Sequence, residues 1–367
     1  MKKKMIKILV LDHFNQIGGG QLYILDILCS INHNNYHVFT IDSPVDKLNT
    51  ALQKSDVTVL PIVFKGWKDF LKPWRIVKNL ICLISAVKKH NIDIIHTNTV
   101  WCQCLAIGIK ILCQRPILWN YHDFAQFDWL GNWFKILLAS AANRIVVPSY
   151  ASAKKLKISS DKISIIGNGF DLNKFKPASQ RRTDDKFVIA WIGRLIPWKN
   201  AECLLYAAEI LQKRGINAEF QIYGDGHPEY ISTICSLINK LKINETVSLQ
   251  GYVADIQHYI SESDIVVNTS IKPESFGRTF IEAALCKKAV IATELGASLE
   301  VVLHKQTGIL IPCDNPSALA DAILYMINNP LKRKQMAEFA FQRAKDLFSL
   351  DNIVNRIENL YISLSDE

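Results

Sequence analysis

Two carboxylates and a basic residue lie in one short stretch, Pro273–Glu282. Glu274 and Glu282 are eight positions apart, with Gly277 and Arg278 between them. Glu282 opens an apolar run typical of a buried helix, which puts Gly277 just before the first turn. The free backbone N–H groups at such an N-terminus bind phosphate, and carboxylates on either side accept hydrogen bonds from sugar hydroxyls. A capped surface helix without a ligand is the alternative that this stretch alone leaves open.

A second set of charges follows another predicted strand. Phe187–Ile192 has the continuous apolar pattern of a parallel-sheet strand, Gly193 and Arg194 come directly after it, and Lys199 opens the next helix. Two cations and a glycine at a helix N-terminus form an anion site that is able to hold a diphosphate. Because the carboxyl ends of parallel strands meet at one edge of a sheet, this loop and Pro273–Glu282 could share one ligand.

Strand and helix patterns alternate along the chain, which predicts α/β domains with doubly wound parallel sheets. The first half opens with the strand Ile6–Asp12, the glycines Gly18 and Gly19, and a helix pattern. The loop is not G-x-G-x-x-G and no acidic residue ends a second strand at the expected distance, so a dinucleotide site is poorly supported. His122 follows the strand Pro116–Tyr121, where a histidine could accept or orient a proton. A buried, hydrogen-bonded histidine is the alternative reading of that position.

Length and composition are those of a folded protein with two domains: 367 residues, 49% hydrophobic and 21% charged. No apolar run reaches the roughly 18 residues that a spanning helix needs, and the basic start leads into a strand rather than a signal peptide. The nine cysteines form no C-x-x-C pair, and the Cys102–Cys104 spacing is wrong for zinc. We therefore expect a cytoplasmic protein without a metal. Residues 178–186 have the composition of a linker, which places a domain boundary near 176–185.

The positive charge is concentrated in the first half. Net charge is +9, and residues 1–175 carry 22 Lys and Arg against 11 Asp and no Glu. Within Lys65–Lys89 seven basic residues alternate with aromatic and aliphatic ones, and Asp69 is the only acid. This pattern suits docking on an anionic bilayer, and Phe127–Leu138 is a second candidate. A solvated basic helix face is the alternative, while nucleic acid is disfavoured because no recognised binding motif accompanies the charge.

The chain resembles glycosyltransferase family 4 over essentially its whole length. Four motifs in this order carry the likeness: Ile166–Asp171 (IGNGFD), Gly193–Leu195 with Trp198–Asn200, Tyr223–Gly226 (YGDG), and Glu274 to Glu282 as E-x7-E. Members are retaining, nucleotide-sugar-dependent enzymes of the GT-B fold, in which two Rossmann-like domains face each other across a cleft. The resemblance implies an acceptor-binding domain at 1–176 and a donor-binding domain at 177–344. It also implies a final helix, about 345–367, that packs back on the first domain.

The resemblance also implies a role for each site residue. Arg194 and Lys199 neutralise the donor diphosphate in place of a metal, Glu274 contacts the donor sugar, and Glu282 binds the ribose hydroxyls. His122 stands beside the reacting sugar and completes the catalytic set. The other implied donor contacts are Gly18, Gly19, Gly193, Val253 against the base, and the backbone of Phe276, Gly277, Arg278 and Thr279. Two departures from the family pattern are the missing double glycine at Gly296-Ala297 and a basic Arg278 where many members have an aliphatic residue.

The expected reaction is transfer of a hexose-type sugar from a UDP or GDP donor to an acceptor hydroxyl, with retention and without a cofactor. The expected acceptor is a glycan or a polyprenyl-diphosphate-linked glycan of bacterial O-antigen or capsule synthesis, met by a protein peripheral to the inner face of the cytoplasmic membrane. A nucleotide-sugar epimerase or phosphorylase on the same architecture is an enzymatic alternative. A nucleotide-sugar-binding subunit that has no catalytic activity is the non-enzymatic alternative.

Overall fold

The computed structural model describes residues 5–13, 18–43, 52, 55–122, 131–156, 158, 160–177 and 186–366. The chain divides into two compact units. The first unit contains the residues before Phe170 and those from Leu350 onward, and the second unit is Phe170–Ser349. The sequence-based division at 176 and 345 differs by a few residues at each boundary. Phe170 and Phe175 belong to the core of the second unit, whereas Leu350 packs against the core of the first. The predicted linker at 178–185 lies outside the described residues.

The first unit contains a sheet of seven parallel strands in the order β3-β2-β1-β4-β5-β6-β7. The strand order reverses between β1 and β4, as in a doubly wound sheet, and ligands bind at the carboxyl ends of strands at such a reversal. β1, β4 and β6 are almost completely buried, because apolar clusters pack against both faces of the sheet. The strands are β1 (Ile6–Leu11), β2 (Tyr36–Asp42), β3 (Val57–Val63), β4 (Ile94–Thr97), β5 (Ile117–Asn120), β6 (Arg144–Val147) and β7 (Ile163–Ile165).

The structure describes six helices between the strands of the first unit. The longest begins with a proline in its first turn and ends at Asn91, which caps it in the left-handed conformation (φ 52°). Lys88 and Lys89 in its last turn complement the negative end of the helix dipole. The helices are α1 (Gly19–Ser30), α2 (Trp67–Phe70), α3 (Pro73–His90), α4 (Val100–Cys113), α5 (Gly131–Ala141) and α6 (Tyr150–Leu156).

The second unit contains six parallel strands in the order β10-β9-β8-β11-β12-β13, again with a reversal at the centre. A buried cluster of apolar side chains covers each face of the sheet. Both sheets confirm the α/β doubly wound prediction. The strands are β8 (Phe187–Ile192), β9 (Ala218–Tyr223), β10 (Val247–Gly251), β11 (Ile265–Asn268), β12 (Ala289–Thr293) and β13 (Gly308–Ile311). The helices are α7 (Ala201–Lys213), α8 (Pro228–Leu241), α9 (Ile256–Glu262), α10 (Arg278–Leu285), α11 (Ser298–Val301), α12 (Pro316–Asn328) and α13 (Pro330–Phe348).

The last helix, α14 (Leu350–Ser365), packs on the sheet of the first unit. Ile353, Ile357 and Tyr361 repeat every four residues and are buried there. The Tyr361 hydroxyl lies 2.6 Å from Nδ1 of His96 on β4, and burial lowers the pKa of His96 to about 4. A neutral histidine therefore anchors the helix at neutral pH. No helix in the described ranges is long and apolar enough to cross a bilayer.

Candidate functional site

The loop after β8 packs against the loop after β9, backbone against backbone. The N–H groups of Gly193 and Leu195 donate to carbonyls of the second loop at 3.0 and 2.8 Å. A Cβ on Gly224 would lie 1.9 Å from the Gly193 oxygen, and one on Gly226 would lie 1.9 Å from the Leu195 oxygen. Only glycine allows this approach, so the YGDG motif serves to place the loop that carries Arg194.

A threonine at the end of β11 ties the other side of this loop in place. The Thr269 hydroxyl lies 2.9 and 2.7 Å from the carbonyl oxygens of Lys199 and Asn200, and it accepts a hydrogen bond from the Trp191 indole at 2.9 Å. Asn200 takes the left-handed conformation (φ 52°), which ends the short 3-10 helix Pro197–Lys199 and starts α7. The Lys199 side chain therefore emerges at a fixed point beside the end of β11.

Lys199 forms an ion pair with Glu274, and the Nζ–Oε1 distance is 2.6 Å. Both side chains are mostly buried, at 13% and 14% exposure. The same Oε1 atom accepts from the Asn268 amide and the Ser270 hydroxyl, each at 2.7 Å. All hydrogen bonds that the described residues give this carboxylate fall on Oε1, which leaves the lone pairs of Oε2 for a ligand.

The Glu274 carboxyl is ionised at neutral pH. Burial raises its pKa, but the Lys199 ammonium and the hydrogen bonds from Lys199, Ser270 and Asn268 outweigh burial, and the pKa lies below its ordinary value. The result is a fixed carboxylate at the carboxyl edge of the sheet.

The Glu274 backbone is held by the loop after β12. The Ala297 N–H donates to the Glu274 oxygen at 3.2 Å, and Gly296 pairs with Glu274 as an isolated bridge. Gly296 has φ 63°, and a Cβ there would lie 2.7 Å from Cβ of Pro273. Ala297 has φ −67°, which any residue adopts, so this backbone needs a glycine only at 296.

Gly277 is required for the start of α10. Its φ is 79°, and a Cβ would lie 2.4 Å from the Phe280 ring. Gly277, the N-cap residue, has no side chain to cap the first turn, which begins at the carboxyl edge of the sheet. The Phe276 ring is buried at 3% exposure and contacts two other phenylalanines, so its side chain is structural and only its backbone is offered to a ligand.

Arg278, whose side chain was left without a role by the sequence, contacts the second carboxylate of the motif. Its Nε lies 3.6 Å from Oε1 of Glu282, one helical turn away, and its guanidinium lies 4.5 Å above the Phe170 ring. Burial raises the pKa of Glu282, and the charges of Arg278 and Lys174 offset only part of this effect. The charge of Glu282 therefore depends on its cationic neighbours.

The remaining predicted residues of the second unit have fewer contacts. Arg194 is exposed, and its side chain makes no hydrogen bond or ion pair with any described residue. Val253, in the loop after β10, is half-buried against the core beneath α10. Thr279 is half-buried in the first turn of α10. Contact of Val253 with a nucleotide base stays a prediction.

In the first unit, Asn98 fixes the first turn of α1. Its amide nitrogen donates to the Asp12 carboxylate at 2.5 Å and to the Gly20 carbonyl at 3.0 Å. Gly18 is the N-cap residue, and α1 begins at Gly19. Asp12 and Asn98 are buried at the carboxyl ends of β1 and β4, and sequence reasoning missed both. A polar residue directly after an apolar strand is the signal that could have identified them.

His122 also lies in the first unit, just after β5, and its ring contacts the Tyr23 ring with centroids 4.6 Å apart. Arg194, Lys199 and Glu274 all belong to the second unit. The roles of His122, Gly18 and Gly19 toward a donor stay predictions. Within the described ranges, no three His, Cys, Asp or Glu side chains cluster as a metal site would require. Metal independence also stays a prediction.

The close approach of the two glycine loops can be tested with one substitution. We expect Gly226→Ala to lower the free energy of unfolding by about 2–3 kcal/mol, because backbone must move to admit the Cβ. Gly215→Ala is the control, because Gly215 has φ 70° with open space around it and should lose only about 1 kcal/mol through backbone strain. Thermal unfolding measures both, and equal losses would contradict the argument.

Two family models match adjoining parts of the chain. Residues 17–174 match the model described as Glycosyltransferase Family 4, and residues 173–343 match Glycosyl transferases group 1. The two matches meet at the boundary between the compact units, so each unit corresponds to one model.

Relatives of the whole chain are also glycosyltransferases. An uncharacterized glycosyltransferase of Methanocaldococcus jannaschii is 24% identical over 96% of this chain and 97% of its own length. The Escherichia coli UDP-Gal:alpha-D-GlcNAc-diphosphoundecaprenol alpha-1,3-galactosyltransferase is 24% identical over 78% of this chain and 79% of its own.

Solved structures share the fold. Anabaena HepE in complex with UDP superimposes with a TM-score of 0.84 at 24% identity, covering 98% of this chain and all of that one. A glycosyltransferase of Rickettsia africae gives 0.85 at 22% identity, covering 98% of both chains. With both family models matched in order and the fold shared, the chain belongs to the family 4 glycosyltransferases, which have the GT-B fold.

Proposed function

We propose that this glycosyltransferase moves a hexose-type sugar from a nucleoside diphosphate to an acceptor hydroxyl, with retention and without a metal. The hydrogen-bonded Lys199–Glu274 pair beside the N-terminus of α10 carries the proposal. It combines a cation and backbone N–H groups for a diphosphate with a carboxylate oxygen for a sugar hydroxyl. UDP is the first candidate for the nucleotide because the similar Anabaena HepE was solved with UDP, and GDP is the second.

The proposed catalysis is mainly electrostatic. Negative charge grows on the diphosphate as its bond to the sugar breaks, and preorganised donors that face this charge lower the barrier. Lys199, Arg194 and the N–H groups of the first turn of α10 are the donors at the strand ends. Arg194 is exposed and makes no ion pair with the described residues, so it can turn toward a phosphate without breaking a contact.

Glu274 has a positioning function in this scheme. Its Oε1 atom is saturated by Lys199, Asn268 and Ser270, and these contacts fix the direction in which Oε2 points. A sugar hydroxyl that donates to Oε2 is thereby held at a set distance from the ammonium that receives the diphosphate. Glu282 is proposed to accept the ribose hydroxyls of the same donor.

Retention is supported by the family to which the chain belongs. The acceptor hydroxyl attacks the face that the diphosphate leaves, and a diphosphate oxygen takes the acceptor proton. The sugar–oxygen bond to the acceptor forms as the bond to the diphosphate breaks, so no redox partner is involved. The anomeric configuration of the product, determined by NMR, would refute this part if it were inverted.

The proposed acceptor is a lipid-linked glycan of a bacterial surface polysaccharide, reached by peripheral association with an anionic membrane. Two observations support it. The name of the Escherichia coli relative includes a diphosphoundecaprenol substrate, and a second relative is a capsular polysaccharide glycosyltransferase of Staphylococcus aureus. The basic excess of residues 1–175 suits an anionic carrier.

A donor screen by thermal shift tests the donor assignment. We expect UDP and UDP-hexoses to raise the midpoint of thermal unfolding by several degrees. At a ligand concentration of a hundred times the dissociation constant, binding stabilises the folded protein by roughly 2–3 kcal/mol. No shift with any nucleoside diphosphate would contradict donor binding. Release of epimerised donor without an acceptor would indicate the epimerase alternative, and binding without any donor hydrolysis or transfer would indicate a binding subunit.

Removing either member of the central ion pair should impair turnover. We expect Lys199→Ala and Glu274→Ala each to lower turnover on the order of a hundredfold or more, because each loses a contact to the donor and leaves its partner unpaired. Lys213→Ala is the matched control, since it removes a lysine from an exposed pair with Glu209 at the same 2.6 Å. Near-normal turnover in both site variants would refute the assignment of the pair.

Because the charge of Glu282 depends on the Arg278 guanidinium, removing that guanidinium should change how donor affinity varies with pH. The ionised carboxylate accepts ribose hydroxyls better, so donor affinity should fall as pH falls through the raised pKa of Glu282. Loss of the guanidinium raises that pKa further, so Arg278→Met should lose affinity at a higher pH than the wild type. Arg214→Met, at an exposed pair with Asp321, is the control. Calorimetric titration with UDP across the acid range measures this, and superimposable profiles would contradict it.

A further inference from the structure

Four helices on one side of the first unit expose large apolar side chains. Their inner residues pack into a common core, and neighbouring helices are in contact. Gly108 of α4 packs against Leu80 of α3, and Lys110 of α4 donates to the Ala141 carbonyl at the end of α5. We call the outer side the four-helix face and define it by residues that are 46% to 72% exposed: Trp67, Leu71, Trp74, Val77, Ile81, Ile111, Leu112, Trp133, Ile136 and Leu137.

These outer residues are not needed to complete the core. On α3 the residues Leu83 and Val87 already bury the inner side, while Trp74, Val77 and Ile81 form a separate stripe on the outer side. A solvent-exposed helix normally places charged residues at such positions. A contiguous exposed apolar surface of this kind marks a binding surface rather than a folding requirement.

The exposed charges on and beside α2 and α3, between residues 65 and 89, have one sign. Six exposed lysines lie on or beside α2 and α3: Lys65, Lys68, Lys72, Lys78, Lys88 and Lys89. The only acid between positions 65 and 89, Asp69, is buried at 1% exposure. Its carboxylate pairs with Arg75 at 3.0 Å and accepts the Lys65 N–H at 2.8 Å. No carboxylate of that stretch therefore offsets the exposed lysines.

We propose that the four-helix face docks on an anionic lipid bilayer. The tryptophans and aliphatic side chains enter the interfacial layer, and the lysines meet the headgroup phosphates, which is the combination that interfacial helices use. The proposal rests on the proposed function in that a lipid-linked acceptor would lie in the same bilayer. It joins the two separate stretches that the sequence indicated, Lys65–Lys89 and Phe127–Leu138, through Ile111 and Leu112 of α4. Residues 127–130 of the second stretch lie outside the described residues.

A second copy of this chain suits this surface less well. Two identical faces placed against each other would bring the lysines of one against those of the other, and like charges across an interface disfavour association. A bilayer containing anionic lipids meets the same lysines with opposite charge.

The test is flotation of the full chain with vesicles of phosphatidylcholine, with and without phosphatidylglycerol. We expect binding only to the anionic vesicles, with loss as salt rises because the lysine contribution is screened. The double variant Trp74→Ser/Trp133→Ser should reduce bound protein by about tenfold or more through lost interfacial contact. The matched control is Leu331→Ser/Phe339→Ser, which makes two apolar-to-serine changes at 77% and 65% exposed positions of the second unit. The control should bind as the wild type does.

The proposal would be overturned if the protein did not bind anionic vesicles at low salt, or if both double variants lost binding equally. It would also be overturned if the wild type formed a dimer without binding vesicles and only Trp74→Ser/Trp133→Ser dissociated that dimer. Thermal unfolding of both variants checks the fold, which exposed positions should leave unchanged. Donor hydrolysis or transfer without vesicles separates this proposal from the proposed function. Activity without vesicle binding would refute the docking surface alone, and vesicle binding without any donor hydrolysis or transfer would refute the enzyme assignment alone.

Discussion

The ion pair between Lys199 and Glu274 is the interaction on which the site of the second unit depends. Two mostly buried charges hold each other in place, and either one alone would be left uncompensated away from water. The pair is electrically neutral, so it adds little net positive charge to a phosphate site. The excess must come from Arg194, which makes no ion pair within the described chain, and from the N-terminus of α10. The ion pair therefore fixes the geometry of the proposed phosphate site, while Arg194 and the N-terminus of α10 supply most of its net positive charge.

This geometry requires the backbones of neighbouring loops to approach each other more closely than a residue with a Cβ allows. Gly224, Gly226 and Gly296 each stand where a Cβ would fall within 3 Å of a neighbouring loop. Thr269 adds a side-chain tie from the end of β11 to the carbonyls around Lys199. The glycines of the motifs are therefore explained by packing between loops, and a ligand need not touch them for the motif to be necessary.

The sequence predicted what depends on local pattern. Apolar runs gave the strands, and glycine loops after them placed Arg194, Lys199, Glu274 and Gly277 at strand ends. It did not predict that Lys199 bonds Glu274, 75 positions away, because that contact depends on strand order and side-chain direction. The contact of Arg278 with Glu282 is local, by contrast, since residues four apart on one helix are neighbours, and a helix that begins after Gly277 was enough to predict it. Asn268 and Ser270, the polar residues at and just after the end of β11 that hold Glu274, were missed in the same way as Asn98. The polar run that contains them directly follows apolar strand positions, and that change from apolar to polar is the local signal that could have identified them.

Exposed apolar residues occur in both units, and charge is what separates the two cases. Leu331 and Phe339 on α13 are 77% and 65% exposed, which is comparable to residues of the four-helix face, and Phe339 lines a groove of about 680 Å³. That groove carries both signs, since Asp346 stands with Lys305 and Lys332 along its lining. The only acid between residues 65 and 89 is buried in an ion pair, so the exposed charge of that stretch has one sign. The positive excess of residues 1–175 is thus left unneutralised where large apolar side chains are also exposed, and an anionic bilayer matches both properties at once.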